Sequence, residues 1–258
     1  MAVRVALITG ASSGLGAALA GLYAAPGVML GLIARDRPRL DAVAAACRAR
    51  GAVVVAEAID IAGERERLAA WLAAFDAAHP VELVIANAGV SAGPALGSVV
   101  EPVELTAHQV AVNLLGAVGT VVPLLPAMVA RRRGRVALIA SLAAYRGLPY
   151  SPGYCASKAG LRAWGEALRP LCEPHGVGVT VVCPGFFASP MTARWAGPTP
   201  LLASTERAAR IVKRGIDRGR RRVGFPWPLT VGLRLCDALP AALGDRIVRR
   251  FRFAIRPA

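Results

Sequence analysis

Apolar residues arrive along this chain in short runs separated by longer amphipathic stretches. Val3–Thr9, Val28–Ala34, Val53–Ala58, Leu83–Ala86, Val136–Ser141 and Val177–Cys183 read as strands, with Arg222–Phe225 a weaker seventh. Between them, apolar positions recur at helical spacing over about residues 15–25, 38–50, 63–78, 106–131, 154–172 and 205–219. Strands that are apolar on both faces and alternate with helices predict an α/β fold: a doubly wound, seven-stranded parallel sheet with helices on both faces. Right-handed crossovers then bring the carboxyl ends of all strands to one edge, where ligands bind. No internal repeat or low-complexity linker divides the chain, so residues 1–226 read as one catalytic-size domain. Residues 227–258 form a basic amphipathic tail packed on it or extending from it.

Composition refines this picture. With 258 residues the chain can bury a large core, and 55% hydrophobic residues exclude a disordered chain. Two stretches, Val5 to Ala34 and Leu105 to Ala130, lack Asp, Glu, Lys and Arg and are long enough to span a bilayer. The first is interrupted by the turn-forming Gly10-Ala11-Ser12-Ser13-Gly14, the second by Gln109, Asn113, Pro123 and Pro126. Buried core elements are the better reading of both. The β-like run begins at Val3 and leaves no space for a charged leader, so the cytoplasm is the expected compartment. Five scattered cysteines without a Cys-x-x-Cys pair predict reduced, core-filling thiols, and three histidines without ligand spacing predict no metal site. The net charge of +15 is concentrated late: from Thr205 onward there are fourteen Arg or Lys against four Asp or Glu. Lysine occurs only at positions 158 and 213.

Candidate chemistry begins where the first strand ends. Thr9-Gly10-Ala11-Ser12-Ser13-Gly14-Leu15-Gly16 leads into an Ala-rich helix. Gly10 permits a tight turn, Gly14 lets backbone approach a diphosphate, and Gly16 allows close helix packing, while the helix N-terminus points N–H groups at an anion. Further on, Tyr154 precedes Lys158 by four residues at a predicted helix start, which puts both side chains on one face. A phenol has an ordinary pKa of about 10, and a neighbouring ammonium would bring it toward working range as a proton donor.

The Thr-Gly-x-x-x-Gly-x-Gly spacing resembles the signature of the short-chain dehydrogenase/reductase family, and the resemblance extends over about residues 3–226. Asn87-Ala88-Gly89 ends the fourth strand, Asn113 lies in the next helix, Ser141 ends the fifth strand, Tyr154-x-x-x-Lys158 opens the following helix, and Pro184-Gly185 closes the sixth strand. The resemblance implies a Rossmann-type fold and hydride transfer between a nicotinamide cofactor and a ketone or alcohol. It implies Tyr154 as general acid/base, Lys158 as its tuner and a ribose ligand, Ser141 on the substrate oxygen, and Asn113 holding a relay water. For the cofactor it implies Gly10, Ser12, Ser13, Gly14, Leu15 and Gly16 at the diphosphate, with Asp60 and Ile61 at the adenine. Asn87, Ala88 and Gly89 would lie along the cofactor, and Pro184, Gly185, Phe187 and Ser189 at the carboxamide. A homodimer or homotetramer through the helices at 106–131 and 154–172 is likewise implied.

The second strand ends in Ala34-Arg35. NAD-dependent relatives usually place there an acid that accepts from the ribose 2′-OH; an arginine can instead pair with a 2′-phosphate, so NADP(H) is favoured over NAD(H). Asp36 stands close enough to compete for the ribose, and Ser13 occupies a place where many NADP-preferring relatives are basic. Residues 186–204, with Phe186, Phe187, Pro190, Met191 and Trp195, should close over a hydrophobic small-molecule substrate. The tail mixes bulky apolar residues with arginines, which fits a peripheral contact with anionic lipid, a subunit contact or a solvated basic face. No recognition fold accompanies this charge, so a nucleic-acid partner is not expected. Two rivals stand beside the oxidoreductase reading. One is a serine hydrolase built on Gly89-Val90-Ser91-Ala92-Gly93, whose triad would need Glu101, Glu104, Glu166 or Glu173 and then His175 in a cramped order. The other is a non-catalytic NADP-binding regulator or scaffold on the same fold.

Overall fold

The computed structural model describes residues 3–94, 98–251 and 253–256. Its strands are β1 (Val5–Thr9), β2 (Met29–Ala34), β3 (Val53–Ala58), β4 (Leu83–Ala86), β5 (Gly134–Ile139), β6 (Val177–Pro184), β7 (Trp195–Ala196), β8 (Arg222–Phe225) and β9 (Ala254–Ile255). Seven of them form one sheet in the order β3-β2-β1-β4-β5-β6-β8, with every pairing parallel. The Rossmann-type, doubly wound architecture expected from the hydrophobic pattern is therefore present. The chain leaves β1 toward β2 on one side and meets β4 on the other, and that reversal opens a crevice at the carboxyl ends of the two strands.

Alternation along the strands feeds two cores. Ala6 and Ile8 of β1 point to one face, where helices α1 (Gly14–Tyr23) and α2 (Arg37–Arg48) pack. Leu7 points to the other, where α3 (Arg65–Ala78) packs. The second face continues with the segment α4 (Val103–Val110), α5 (Gly116–Val121) and α6 (Leu125–Ala130), and with α7 (Pro152–Cys172). Beyond β6 come the short α8 (Pro190–Ala193), α9 (Thr205–Asp217) on the first face, α10 (Trp227–Ala238) and α11 (Ala241–Val248). Fully buried leucines such as Leu19 and Leu72 each contribute roughly 1.5–3 kcal/mol by leaving water.

Residues 103–130 are long and apolar enough to cross a membrane, but they pack against α3 and α7. The single predicted helix is interrupted twice. Ala111–Leu115 forms a wider π turn around Asn113, and Val122–Leu124 tightens to a 3-10 turn at Pro123, which has no N–H to give to the helical ladder. The fifth strand also ends earlier than predicted, at Ile139. Ser141 leaves the sheet to accept the Ala143 N–H at 3.1 Å, capping the 3-10 turn Leu142–Ala144.

The tail is part of the same packed unit. Leu229 and Leu233 of α10 join the second core, Cys236 and Val248 are buried, and β9 returns to pair antiparallel with β7. This pairing brings Ala254–Ile255 against Trp195–Ala196, a contact none of the three readings of the tail included.

Candidate active site

A cavity of about 1150 Å³ opens at the carboxyl edge of the sheet. Gly10, Ser12, Ser13, Gly14 and Leu15 line it, as do Arg35, Asp60, Ile61, Asn87, Ala88, Gly89, Ser141, Tyr154, Lys158, Pro184, Gly185, Phe187 and Ser189. Of the residues singled out in the sequence, Gly16 and Asn113 do not reach the cavity surface. Their roles are internal.

Gly16 lies against the loop it follows: a Cβ there would sit 2.6 Å from Asn87 Nδ2 and would also strike the Gly10 carbonyl. Gly10 adopts φ +65°, and a Cβ on it would fall 2.7 Å from Ala88 Cα. Asn87 makes this crossing possible. Its Nδ2 donates to the carbonyls of Thr9 (3.0 Å) and Gly10 (3.2 Å), while the Thr9 hydroxyl accepts the N–H groups of Asn87 (3.1 Å) and Ala88 (3.2 Å). The ends of β1 and β4 are thus clamped together, and the loop over α1 is held open. Ser13 offers α1 no side-chain cap, so the first-turn N–H groups of this helix remain available to an anion such as a diphosphate.

Helix α7 begins with Pro152 at its first position and presents Tyr154 and Lys158 one turn apart. Tyr154 is partly buried, whereas Lys158 is only 3% exposed and donates from Nζ to the Ile139 carbonyl at 2.8 Å. That ammonium lies 5.8 Å from the centre of the Tyr154 ring. Burial pushes the phenol up to about 12, and the neighbouring Ser141 hydroxyl works in the opposite direction. Burial also lowers Lys158, to about 8. The expected depression of the tyrosine by the lysine is therefore not seen in this arrangement. Desolvation dominates the phenol, and the ammonium is turned to a carbonyl at the end of β5.

Asn113 is fully buried. Its Oδ1 accepts the Val90 N–H at 2.7 Å, and its Nδ2 donates to the Val90 carbonyl and to Ser157 Oγ, each at 2.9 Å. The side chain anchors the segment after β4 to α7. It is a positioning residue in this arrangement: its side-chain amide is engaged by protein groups.

At the far end of the crevice, Asp36 caps α2. Its Oδ1 accepts the Arg39 N–H at 3.0 Å, and its Oδ2 pairs with Arg39 Nε at 3.2 Å. Asp36 is thereby engaged at the start of α2, and it lines the same end of the cavity as Arg35. Arg35, Arg37 and Arg39 all line this end; Arg37 is paired with Asp41, while Arg35 is exposed and makes no ion pair among the described residues. Asp60 accepts the Ala62 N–H at 3.0 Å, which shapes the turn after β3.

The opposite end is walled by aromatic side chains from two distant places, Phe186 with Trp195 and Phe251 with Phe253, and Tyr150 packs against them from outside the lining. Trp195 stacks on Phe253 with ring centres 3.8 Å apart, Phe186 meets Trp195 edge-on at 4.9 Å, and Tyr150 meets Phe253 at 5.7 Å. Arg194 and Arg256 exchange backbone and side-chain bonds at 2.8 Å beside them. Leu229, Leu233 and Phe251 complete the lining, and the sequence reading assigned none of these tail residues to the site. Their only signal was an apolar, aromatic tail. Ser189 lines the cavity, but its hydroxyl caps the short α8 by accepting the Thr192 N–H at 3.1 Å. Cys155 is buried and accepts the Leu148 N–H at 3.3 Å; burial raises its thiol, which suits packing. Ser91 lines the cavity too, yet no histidine and none of the four glutamates proposed for a triad does so, which removes the hydrolase constellation.

Comparison with known proteins agrees with this geometry. A family model described as short chain dehydrogenase matches residues 4–198. An uncharacterized oxidoreductase of Myxococcus xanthus is 38% identical over 252 residues, covering 98% of this chain and 99% of that one. The structure superposes on a short-chain dehydrogenase from Sphingobium yanoikuyae in complex with NADPH at TM-score 0.79 and 25% identity, covering 93% and 98% of the two chains. A short chain dehydrogenase from Mycobacterium paratuberculosis bound to NAD gives TM-score 0.77 at 23% identity, covering 88% and 98%.

Proposed function

Because the chain belongs to the short-chain dehydrogenase family and is an oxidoreductase of that type, we propose that it transfers a hydride between NADP(H) and a hydrophobic ketone or alcohol. The observation that carries this reading is the convergence of Ser141, Tyr154 and Lys158 with the glycine loop in one cavity. The residues fit a dinucleotide: an uncapped helix start and glycine loop for the diphosphate, Asp60 and Ile61 beyond β3, and Pro184, Gly185 and Phe187 after β6.

A bound nicotinamide supplies or accepts the hydride. The chain's own groups handle the oxygen. In reduction the Tyr154 hydroxyl donates a proton to the forming alkoxide, and a phenol held up to about 12 stays protonated until that charge develops. Ser141 orients the same oxygen. Lys158 would turn from the Ile139 carbonyl to the ribose hydroxyls, its position in the cavity permitting both. Arg35 would meet a 2′-phosphate, since Asp36 is engaged by Arg39. Phe186, Trp195, Phe251 and Phe253 would face the body of the substrate and favour an apolar one. An assembly through α5 and α7 would cover Leu115, Val122 and Leu171, which are exposed beside those helices.

The test is Tyr154→Phe in a ketone-dependent NADPH oxidation assay. The substitution should lower kcat about 10²–10⁴-fold, the usual contribution of a positioned proton donor. NADPH binding, read by fluorescence, should be unchanged. Retained binding with no turnover of any carbonyl by the unaltered protein would favour the scaffold reading instead.

A further inference from the structure

The C-terminal helices show a second surface outside the cavity. From Trp227 to Phe251 every fourth residue is large and apolar, and all of them are exposed, with Trp227 at 73%, Leu235 at 63% and Leu243 at 53%. A helix ordinarily turns such a stripe inward. Here Leu229, Leu233 and Cys236 of α10 and Gly244 and Val248 of α11 take the inward positions, and these further apolar residues on both helices and at their junction are left exposed. Exposed Arg246, Arg249 and Arg250 lie in the same segment and form no ion pair among the described residues; of the two acids there, Asp245 is paired with Arg146.

We propose that this face seats the protein on the surface of an anionic lipid bilayer. Charge decides between a bilayer and a second copy. A two-fold contact sets a patch against itself, so it would oppose arginine to arginine on a chain already carrying +15. An anionic headgroup layer complements the arginines while the stripe enters the acyl boundary. Phe251 belongs to both surfaces: it is 42% exposed and lines the cavity, as Leu229 and Leu233 of α10 also do. Docking would therefore bring the apolar end of the cavity beside the membrane. The docking itself does not depend on the hydride-transfer reading.

Co-sedimentation with vesicles of phosphatidylglycerol and phosphatidylcholine, compared with pure phosphatidylcholine, tests it, with NADPH fluorescence read in the same samples. The full-length protein should pellet with the anionic vesicles only. Leu235→Glu with Leu243→Glu should abolish pelleting. Arg249→Ala with Arg250→Ala should weaken it about 30-fold, roughly a factor of five for each arginine near an anionic surface. NADPH binding should survive in both double variants. A protein that binds NADPH but stays in the supernatant with anionic vesicles would overturn the proposal. So would light scattering showing that Leu235→Glu with Leu243→Glu splits a dimer, since the face would then be a self-contact. Vesicle binding without NADPH binding would leave the docking standing and remove the hydride-transfer reading alone.

Discussion

At the glycine-loop end of the cavity, one continuous stretch from β1 to β4 does the building, and it depends on close backbone approach. Gly10 and Gly16 let the loop cross Asn87 and Ala88 closely, and Thr9 and Asn87 pin two adjacent parallel strands together. At the substrate end, Phe186, Trp195 and Phe253 meet through their rings, and a two-residue antiparallel pairing of β7 with β9 holds the last of them in place. The first end tolerates little change because backbone contacts there have no spare space. The second can change side chains while the first stays intact. One scaffold can thus keep a fixed cofactor and vary its substrate.

Substitutions at each end should separate accordingly. Arg35→Ala should weaken NADPH binding about 10–100-fold, the range of a lost charge-assisted hydrogen bond. It should leave NADH binding unchanged in parallel fluorescence titrations. Equal loss for both would mean that Arg35 holds the loop and does not read a 2′-phosphate. Phe253→Ala should act only on the other end: a KM for carbonyl substrate raised about tenfold, with NADPH affinity preserved, as expected from loss of one stacked aromatic contact. A matching fall in NADPH affinity would show that the two ends are coupled.

The smallest effect is a pH dependence. Lys158 titrates near 8 in the folded chain and ordinarily at 10.5. NADPH affinity should fall about fivefold as pH rises through about 8, because a charged donor becomes a neutral one. Lys158→Met should flatten that profile. Stability moves the opposite way: between about 8 and 10.5 the unfolded chain holds the extra proton, so the cost of burying this lysine is relieved as pH rises. Urea midpoints of the two proteins across that range would show whether the signs differ as stated.

Much of this was legible before any coordinates, and the reason is locality. The glycine loop, Asn87-Ala88-Gly89 and Tyr154-x-x-x-Lys158 are each contiguous strings at the end or start of an element. Alternating apolar runs were enough to predict the parallel sheet around them, with all seven strands found. What escaped the reading depends on contacts between distant positions or on the balance of solvation. Trp195 and Phe253 are far apart in sequence, and a two-residue strand carries no periodicity to announce their pairing. An acid just before Arg37-Pro38 has the form of a helix cap, and Asp36 does cap α2 as well as lining the cavity, a second role the ribose argument did not include. Asn113 lies in a π turn that helical spacing does not predict. The upward shift of Tyr154 follows from burial, which spacing alone does not measure.

The most direct measurement is a fluorescence titration of the purified protein with NADPH and, in parallel, with NADH. The account predicts saturable binding of both, with NADPH the tighter by at least about tenfold, since only it offers Arg35 a 2′-phosphate. Tighter binding of NADH would contradict the Arg35 assignment, and no binding of either would contradict the hydride-transfer site as a whole.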